Sequence, residues 1–590
     1  MRRARTVAYA PFFVGAACIL AGVALLWAYA RVAWPWALLG WIGLVPWSWL
    51  WMRHQSLRAA FATSVVCSIA FVGSTFDWFA QALAEYTGLS AVTARVILYL
   101  SSPLLEPQFI ALAFVLFAFR QRPKLVSFAS TIQRSLAAAA VYTACERIVP
   151  TKVLGDTLGL GLLGALPWAQ AADLGGVHLL TFCLVFANVL LAHACGSLHL
   201  QHSRRFAAAL LGTVASLMAA LWLYGSWRIR SIDAQAGERN AAVVRVGAVQ
   251  GNISHYDQLR EERGTFAAVR LILDHYFTLT RPQVEQADFW VWPETVYPTT
   301  FGKPKSPDGA LFDREIAAFV QMHARPLVLG AYDRDDAGEY NAAFFLIPDE
   351  RAGLHTEVYR KVYPFPWTEH VPSWADYGFV RRWLPWLGTW KPGREIKVVS
   401  LPLGEDRTIR VAPLICYDAL MPALSHAAAR SGAELLLTMS NDSWFSGAEG
   451  KRLALVGAVF RSIETHRPQI RVTPTGITAV IDAVGRFRFL MPPDQPQAAI
   501  ATLVLPPPRW SLATEGGHQW FLIACLAATF MGAASWLRSG PLKRKSGSRS
   551  THRANSSGAT GISSLRSPPF NGPPFHRWSH GAFTAGCAVG

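Results

Sequence analysis

The sequence predicts a multi-pass α-helical membrane domain joined to a layered α/β domain. Three observations carry this reading. Apolar residues concentrate in positions 1–227 and recur at 519–537. Basic residues cluster in every second loop between the apolar runs. Between 228 and 517, short apolar runs of strand character alternate with helix-like segments. The 590-residue chain is 52% hydrophobic and 16% charged, too long and too apolar for one ordinary soluble domain.

A helix needs about 20 apolar residues to cross a bilayer. Candidate spans lie near 9–29, 33–52, 59–80, 93–119, 134–150, 176–196, 206–227 and 519–537. The first follows a basic start and could be a signal peptide. It is read as retained, because its apolar run is long, it has no clear small-residue cleavage site and a second run follows at once. Arg2, Arg3 and Arg5 precede the first run. Arg53 and Arg58 follow the second, Arg120, Arg122 and Lys124 the fourth, and Arg204 and Arg205 the sixth. The alternate loops hold little beyond Arg31, Arg95 and Lys152. The positive-inside rule then places the N-terminus in the cytoplasm and, after seven crossings, residues 228–517 outside. The expected organisation is a seven-span domain (1–227), an extracytoplasmic α/β domain (228–517), a returning transmembrane helix (518–538) and a basic, disordered cytoplasmic tail (539–590).

The formal net charge of +17 does not point to nucleic acid. Much of it lies in that tail, which holds no Asp or Glu from 541 onward, and in the short loops between spans. Charged residues near spans, such as Asp77, Glu85, Glu106 and Glu146, raise a transporter reading. Several sit near predicted span ends, where exposure at the interface suffices. No HExxH or CxxC pattern appears, and no metal or cofactor is expected.

In the outer domain, "VVRVGAVQ" (243–250), "ADFWVWPE" (287–294), "RPLVLGAYD" (325–333), "IRVAPLICYD" (409–418), "AELLLTMSND" (433–442) and "QIRVTPTGITAVID" (469–482) read as strands. Several are almost continuously apolar, as strands covered on both faces are. Segments 308–324, 420–431 and 450–466 have helical character. Cys416 is the lone cysteine of this domain, so it has no intradomain disulfide partner. On its own it reads more readily as a small buried hydrophobe than as a nucleophile. Glu294 follows an apolar run directly, and Lys361 and Glu369 stand in an aromatic loop where Pro364, Pro366 and Pro372 preclude a helix. Together these types suit acyl transfer. A thiol is mostly protonated at neutral pH, a carboxylate in a desolvated pocket can take its proton, and a fixed ammonium can stabilise thiolate and oxyanion.

These residues, in this order, resemble the nitrilase superfamily, whose members place a Glu–Lys–Cys triad on an α-β-β-α sandwich. The wider pattern is similar to the apolipoprotein N-acyltransferases, an integral-membrane branch of that superfamily. "WPET", "YRKVYPFPWTEHVP", "ICYD", "SNDSWF" and "RVTPTGITAVID" carry the likeness, with "CERIVPT" and "LPWAQAADLGGVHLLTF" upstream. The resemblance implies Glu294 as general base, Lys361 as thiolate and oxyanion stabiliser and Cys416 as nucleophile. Glu369, Tyr417, Asp418 and Trp444 are implied as supporting residues. The implied reaction is ping-pong, from a phospholipid donor through a Cys416 thioester to the α-amine of a diacylglyceryl-cysteine on an apolipoprotein. It further implies a monomer in the bacterial inner membrane with its catalytic domain in the periplasm. Three departures stand out. Asp418 replaces a family glutamate, Trp367 and Thr368 replace phenylalanine and glycine, and 446–460 lacks the usual His- and Gln-containing run. Rival readings are a membrane-tethered amidase, an N-acyltransferase with another amine acceptor, or a non-catalytic scaffold. The "VRRWLPWLGTW" stretch (380–390) suits either a lid at the membrane interface or packing beneath a loop.

Overall fold

The computed structural model describes residues 2–120, 127–148, 156–199, 204–237, 242–254, 256–349, 351, 353–384, 386–404, 407–445 and 447–538. The tail 539–590 and the loop residues Arg122, Lys124 and Lys152 lie outside the described residues. In the first part of the chain α1 is Arg2–Tyr29, α2 Val45–Arg53, α3 Leu57–Thr75, α4 Asp77–Thr87, α5 Ala91–Leu105 and α6 Pro107–Arg120. They are followed by α7 Phe128–Ile148, two four-residue helices α8 Leu166–Ala169 and α9 Ala172–Gly175, α10 Val177–His199 and α11 Arg204–Ala236. Among the described residues, α1, α3, α10 and α11 each hold a stretch long and apolar enough to cross a bilayer, and the pair α5 and α6, bent by 45°, makes a fifth.

The expected span at 33–52 is not one helix. It is a 3-10 segment, Trp36–Trp41, followed by the nine-residue α2, with Pro35 before the first and Pro46 in the first turn of the second. Proline inside a helix removes a backbone hydrogen bond and tends to kink or break it, but it is tolerated in the first turn. Backbone groups freed by the break need partners away from water, and Asn188 of α10 supplies them. Its Oδ1 accepts from Leu44 N and its Nδ2 donates to Gly40 O, both at 2.8 Å. Around this break Trp41, Trp47, Trp51, Trp168 and Tyr142 build an aromatic core.

The outer part holds two mixed sheets. The first comprises β1 Ala242–Gln250, β2 Phe289–Val291, β3 Tyr297–Thr300, β4 Leu327–Asp335, β5 Gly338–Asp349, β6 Gly353–Arg360 and, last in the chain, β13 Gln497–Leu505. Its order is β13-β1-β2-β4-β5-β6, with β3 also on β4. The second comprises β7 Val399–Pro402, β8 Thr408–Ile415, β9 Leu435–Met439, β10 Gln469–Val472, β11 Ala479–Ile481 and β12 Phe487–Leu490, in the order β12-β11-β10-β9-β8-β7. The centres, β1-β2-β4 and β8-β9-β10, are parallel. Parallel neighbours need crossovers, and here those are helices. The stretch "QIRVTPTGITAVID", expected as a single strand, is β10 and β11 paired antiparallel. Pro474 and Gly476 interrupt it, and Thr478 Oγ1 closes the turn by accepting from Thr473 N at 3.1 Å.

Inward faces of both sheets meet in one apolar core, where Val246, Phe289, Val291 and Phe345 face Val411, Ile415, Leu435 and Val472. Helices α12 Tyr256–Arg263, α13 Thr265–Thr280 and α14 Pro307–His323 lie on the first sheet's side, with Tyr276, Phe277, Ile316 and Phe319 packed on Trp290, Trp292 and Leu329. A short α15, Gly378–Trp383, stands in the loop between β6 and β7. Helices α16 Pro422–Arg430 and α17 Ala448–Thr465 lie on the second sheet's side. The result is an α-β-β-α sandwich. Helix α17 also enters the membrane part's core through Leu455, Val456, Val459, Phe460 and Ile463. The last helix, α18, is His518–Arg538. Helix α11 runs past residue 227, the expected domain limit, and there Arg228 meets the buried Asp173 at 2.5 Å.

Candidate active site

Strand ends converge at one point of the sandwich. Glu294 follows β2, Lys361 follows β6, Cys416 follows β8, and Asn441 follows β9. A strand ending in a sharp turn holds its next side chain at a defined height above the sheet, the usual location of reacting groups in layered α/β folds. Backbone strain marks the same place. Among the described residues eight non-glycine residues have positive φ, and three of them are Thr295 beside Glu294, Trp367 in the Glu369 loop, and Cys416 itself at 51°. Non-glycine residues are held in this region only where surrounding contacts over-determine them, and such residues cluster at functional sites.

Lys361 is the centre of the charge arrangement. It is 1% exposed, with Nζ 3.1 Å from Glu294 Oε1 and 2.8 Å from Glu369 Oε2. Asn341, on β5, donates from Nδ2 to Glu294 Oε1 at 2.7 Å. The backbone N–H of Asn441 donates to Glu294 Oε2 at 2.6 Å, and that of Phe365 to Glu369 Oε2 at 2.6 Å. Burial pushes the Glu294 carboxyl above its usual range, and the Lys361 charge opposes this. Burial also acts against the charged form of Lys361, but Glu294 and Glu369 outweigh it and hold the ammonium firmly protonated. The Cys416 thiol is pushed up, first by burial and then by Glu294, with Lys361 acting the other way. Its side chain nonetheless keeps some exposed surface. A neutral thiol, a carboxyl of raised basicity and a fixed cation therefore share one desolvated pocket.

The supporting residues have separate positions. Asp418 is fully buried and accepts from Ile415 N at 3.1 Å, Tyr359 OH at 2.8 Å and Tyr363 N at 2.8 Å. It thereby ties the end of the Cys416 strand to the segment around Lys361, and burial lifts its carboxyl to about 6. The shorter aspartate side chain reaches all three donors. Tyr417 packs edge-on against Phe365, ring centroids 5.2 Å apart. Trp444 is 44% exposed and lies against Tyr86 of α4, 4.8 Å between centroids. The 380–390 stretch forms α15 and a turn, whose Leu387 packs with Val371 and Ala375 while Trp383 is 83% exposed. Asn341 and the Asn441 amide were not singled out from sequence. Asn441 lies in the quoted "SNDSWF", whereas nothing in "YNAAFF" (340–345) marks Asn341.

Comparison with known proteins matches the chain to two family descriptions, the apolipoprotein N-acyltransferase N-terminal domain over residues 21–190 and the carbon–nitrogen hydrolases over 245–506. Among curated relatives, the apolipoprotein N-acyltransferase of Bdellovibrio bacteriovorus is 28% identical over 59% of this chain and 63% of its own length. That of Azotobacter vinelandii is 31% identical over 56% of this chain and 59% of its own. That of Pseudomonas syringae pv. tomato is 27% identical over 75% and 82%. The chain thus aligns with a little under two-thirds of the length of several of these relatives. Among solved structures, an amidase from Nesterenkonia sp. aligns at 17% identity over 46% of this chain and 92% of that one, with a TM-score of 0.31. Carrying both matched regions in this order, the chain belongs to the apolipoprotein N-acyltransferase family, within the carbon–nitrogen hydrolase (nitrilase) superfamily.

Proposed function

We propose that the protein is a membrane-bound acyltransferase that moves a fatty acyl group from a phospholipid to the α-amine of a diacylglyceryl-cysteine at the N-terminus of a lipoprotein. The observation that carries this reading is the buried Lys361 bridging Glu294 and Glu369 beside Cys416, in a sandwich packed on membrane-type helices. Relatives named for this activity support it.

In the first half-reaction Glu294 accepts the Cys416 Sγ proton as sulfur attacks the ester carbonyl. Lys361 faces the charge that develops on the carbonyl oxygen. The C–O bond then breaks, and the lysophospholipid leaves with the proton from Glu294. In the second, the acceptor amine attacks the thioester, the C–S bond breaks, and the amine's proton returns to sulfur through Glu294. Burial raises the proton affinity of both Glu294 and Cys416, while Lys361 beside them favours their charged forms.

Both substrates keep acyl chains in the bilayer, so the site must meet the interface. The exposed rings of Trp374, Phe379 and Trp383, on the loop beside Glu369, are suited to that boundary. The alternation of basic loops supports a sandwich on the periplasmic side of the inner membrane, with both termini in the cytoplasm.

The test is intact mass spectrometry of purified protein incubated with isotopically labelled phospholipid. An acyl adduct absent from Cys416→Ala and discharged onto a diacylglyceryl peptide is the expected result. An adduct that only hydrolyses favours an amidase-like enzyme. No adduct from folded protein overturns the phospholipid donor.

A further inference from the structure

Helix α4 belongs in sequence to the membrane part, yet its last turn reaches the candidate active site. Tyr86 lies one residue from its end, where Gly88 in the left-handed region stops the helix. Its hydroxyl is 2.9 Å from the carbonyl oxygen of Thr368 and 2.9 Å from that of Trp386. A single O–H shared by two carbonyls forms a three-centre bond, and here the carbonyls come from the two loop segments that flank α15 between β6 and β7. The same ring packs on Trp386 at 5.7 Å and Trp444 at 4.8 Å. Two turns earlier, Trp78 packs edge-on against Phe445 at 5.4 Å. One stripe of α4, at i and i+8, therefore grips three segments of the sandwich.

Those segments are the ones that surround the reacting groups. Thr368 precedes Glu369, and the loop of Trp386 is laced to it by Gly388 N to Trp367 O at 3.0 Å and Trp390 N to Glu369 O at 2.9 Å. The Glu369 carboxylate is held independently, by Lys361 and by Phe365 N. Removing the Tyr86 hydroxyl thus leaves the charge arrangement in place and frees the outer edge of both loops.

We propose that Tyr86 is a positioning residue that latches the two loops and the Trp444 ring to the membrane part, setting the opening through which a lipid-borne acyl chain reaches Cys416. The proposal rests on the phospholipid-donor reading. Its effect falls on capture of a bilayer substrate, not on activation of the thiol.

The experiment uses the full chain in lipid nanodiscs, with Tyr86→Phe and Tyr86→Ala. Two rates are followed by mass: acyl-adduct formation against the concentration of labelled phospholipid, and alkylation of Cys416 by iodoacetamide, a probe small enough to need no loop closure. Loss of one hydrogen bond to a carbonyl corresponds to about a fivefold weakening. Tyr86→Phe should raise the half-saturating phospholipid concentration by about fivefold, and Tyr86→Ala should raise it further, with alkylation unchanged in both. Wild-type saturation behaviour in Tyr86→Phe overturns the latch, whatever the alanine variant does. An equal fall in alkylation overturns it too, because the effect would then be a general loss of site structure. Absence of any adduct in the wild-type protein overturns the donor reading itself, a result distinct from an active wild type with an indifferent variant.

Discussion

Replacing Lys361 by methionine keeps the unbranched stem of the side chain and removes its charged end. In the native pocket the ammonium sits 3.1 Å from Glu294 and 2.8 Å from Glu369, with 1% exposure. Each contact is worth about 5–6 kcal/mol at an effective dielectric near 20, and desolvation of the buried Lys361 and Glu294 offsets most of that. What the substitution leaves behind decides the outcome: two carboxyls facing each other with no cation. Breaking a buried pair from one side costs about 3–5 kcal/mol, which for a domain of this size corresponds to a fall in melting temperature of about 10 °C. The assay is thermal unfolding in detergent, with Cys416 acylation measured in parallel. Adding Glu294→Gln removes one of the stranded acids and should recover about half of the lost stability, while acylation stays absent in both variants. A Lys361→Met protein that melts with the wild type, or a double variant no more stable than the single, would refute the charge-centre reasoning.

Other substitutions test neighbouring parts of the site. Asn341→Asp sets a third carboxyl 2.7 Å from Glu294, and acylation at pH 7 should fall by at least about tenfold, as a like charge alters the base. The loss should exceed that of Asn341→Ala in the same kinetic assay. Gly388→Ala places a Cβ 2.2 Å from Thr368 O and 2.3 Å from Glu369 C. The loop must shift, so stability should drop by about 1–3 kcal/mol and phospholipid acylation should fall at least about tenfold, read by melting and by mass. Asp418 has its carboxyl raised to about 6 in the folded protein against about 3.9 unfolded. The folded state therefore holds the proton more tightly, and stability falls as pH rises from 4 to 6, then levels off. Melting temperatures across that window should slope down more steeply in the wild type than in Asp418→Asn.

Much of this architecture was legible because it rests on local chemistry. The apolar runs that became β1, β4, β8 and β9 are short and β-branched or leucine-rich, and α14, α16 and α17 fall within two residues of where periodicity placed them. Glu294, Lys361 and Cys416 could be nominated since each follows an apolar run directly or stands in a helix-free loop. Other elements depend on partners distant in sequence. The break at 33–52 is sustained by Asn188, 144 residues from Leu44. The continuous reading of 469–482 missed a reversal that needs β10 and β11 to pair with each other. Asn341 sits inside an ordinary-looking strand and acquires meaning only from Glu294, 47 residues away. Tyr86 is 282 residues from Thr368, and no periodicity can report such a contact.

Helix α17 faces two ways. Thirteen of its 18 residues are buried, some against the sandwich and others among the membrane helices. An ordinary soluble sandwich would clothe this outer helix in charge; here it is upholstered with Leu455, Val456, Val459, Phe460 and Ile463. The sandwich consequently has no solvent side of its own at this wall. Cut free at residues 242 and 505, it would present that apolar strip to water and seek other copies of itself. Catalyst and anchor are in this sense one inseparable fold, not cargo and vehicle, and a soluble version would have to be re-surfaced along α17 before its chemistry could be studied apart from the bilayer.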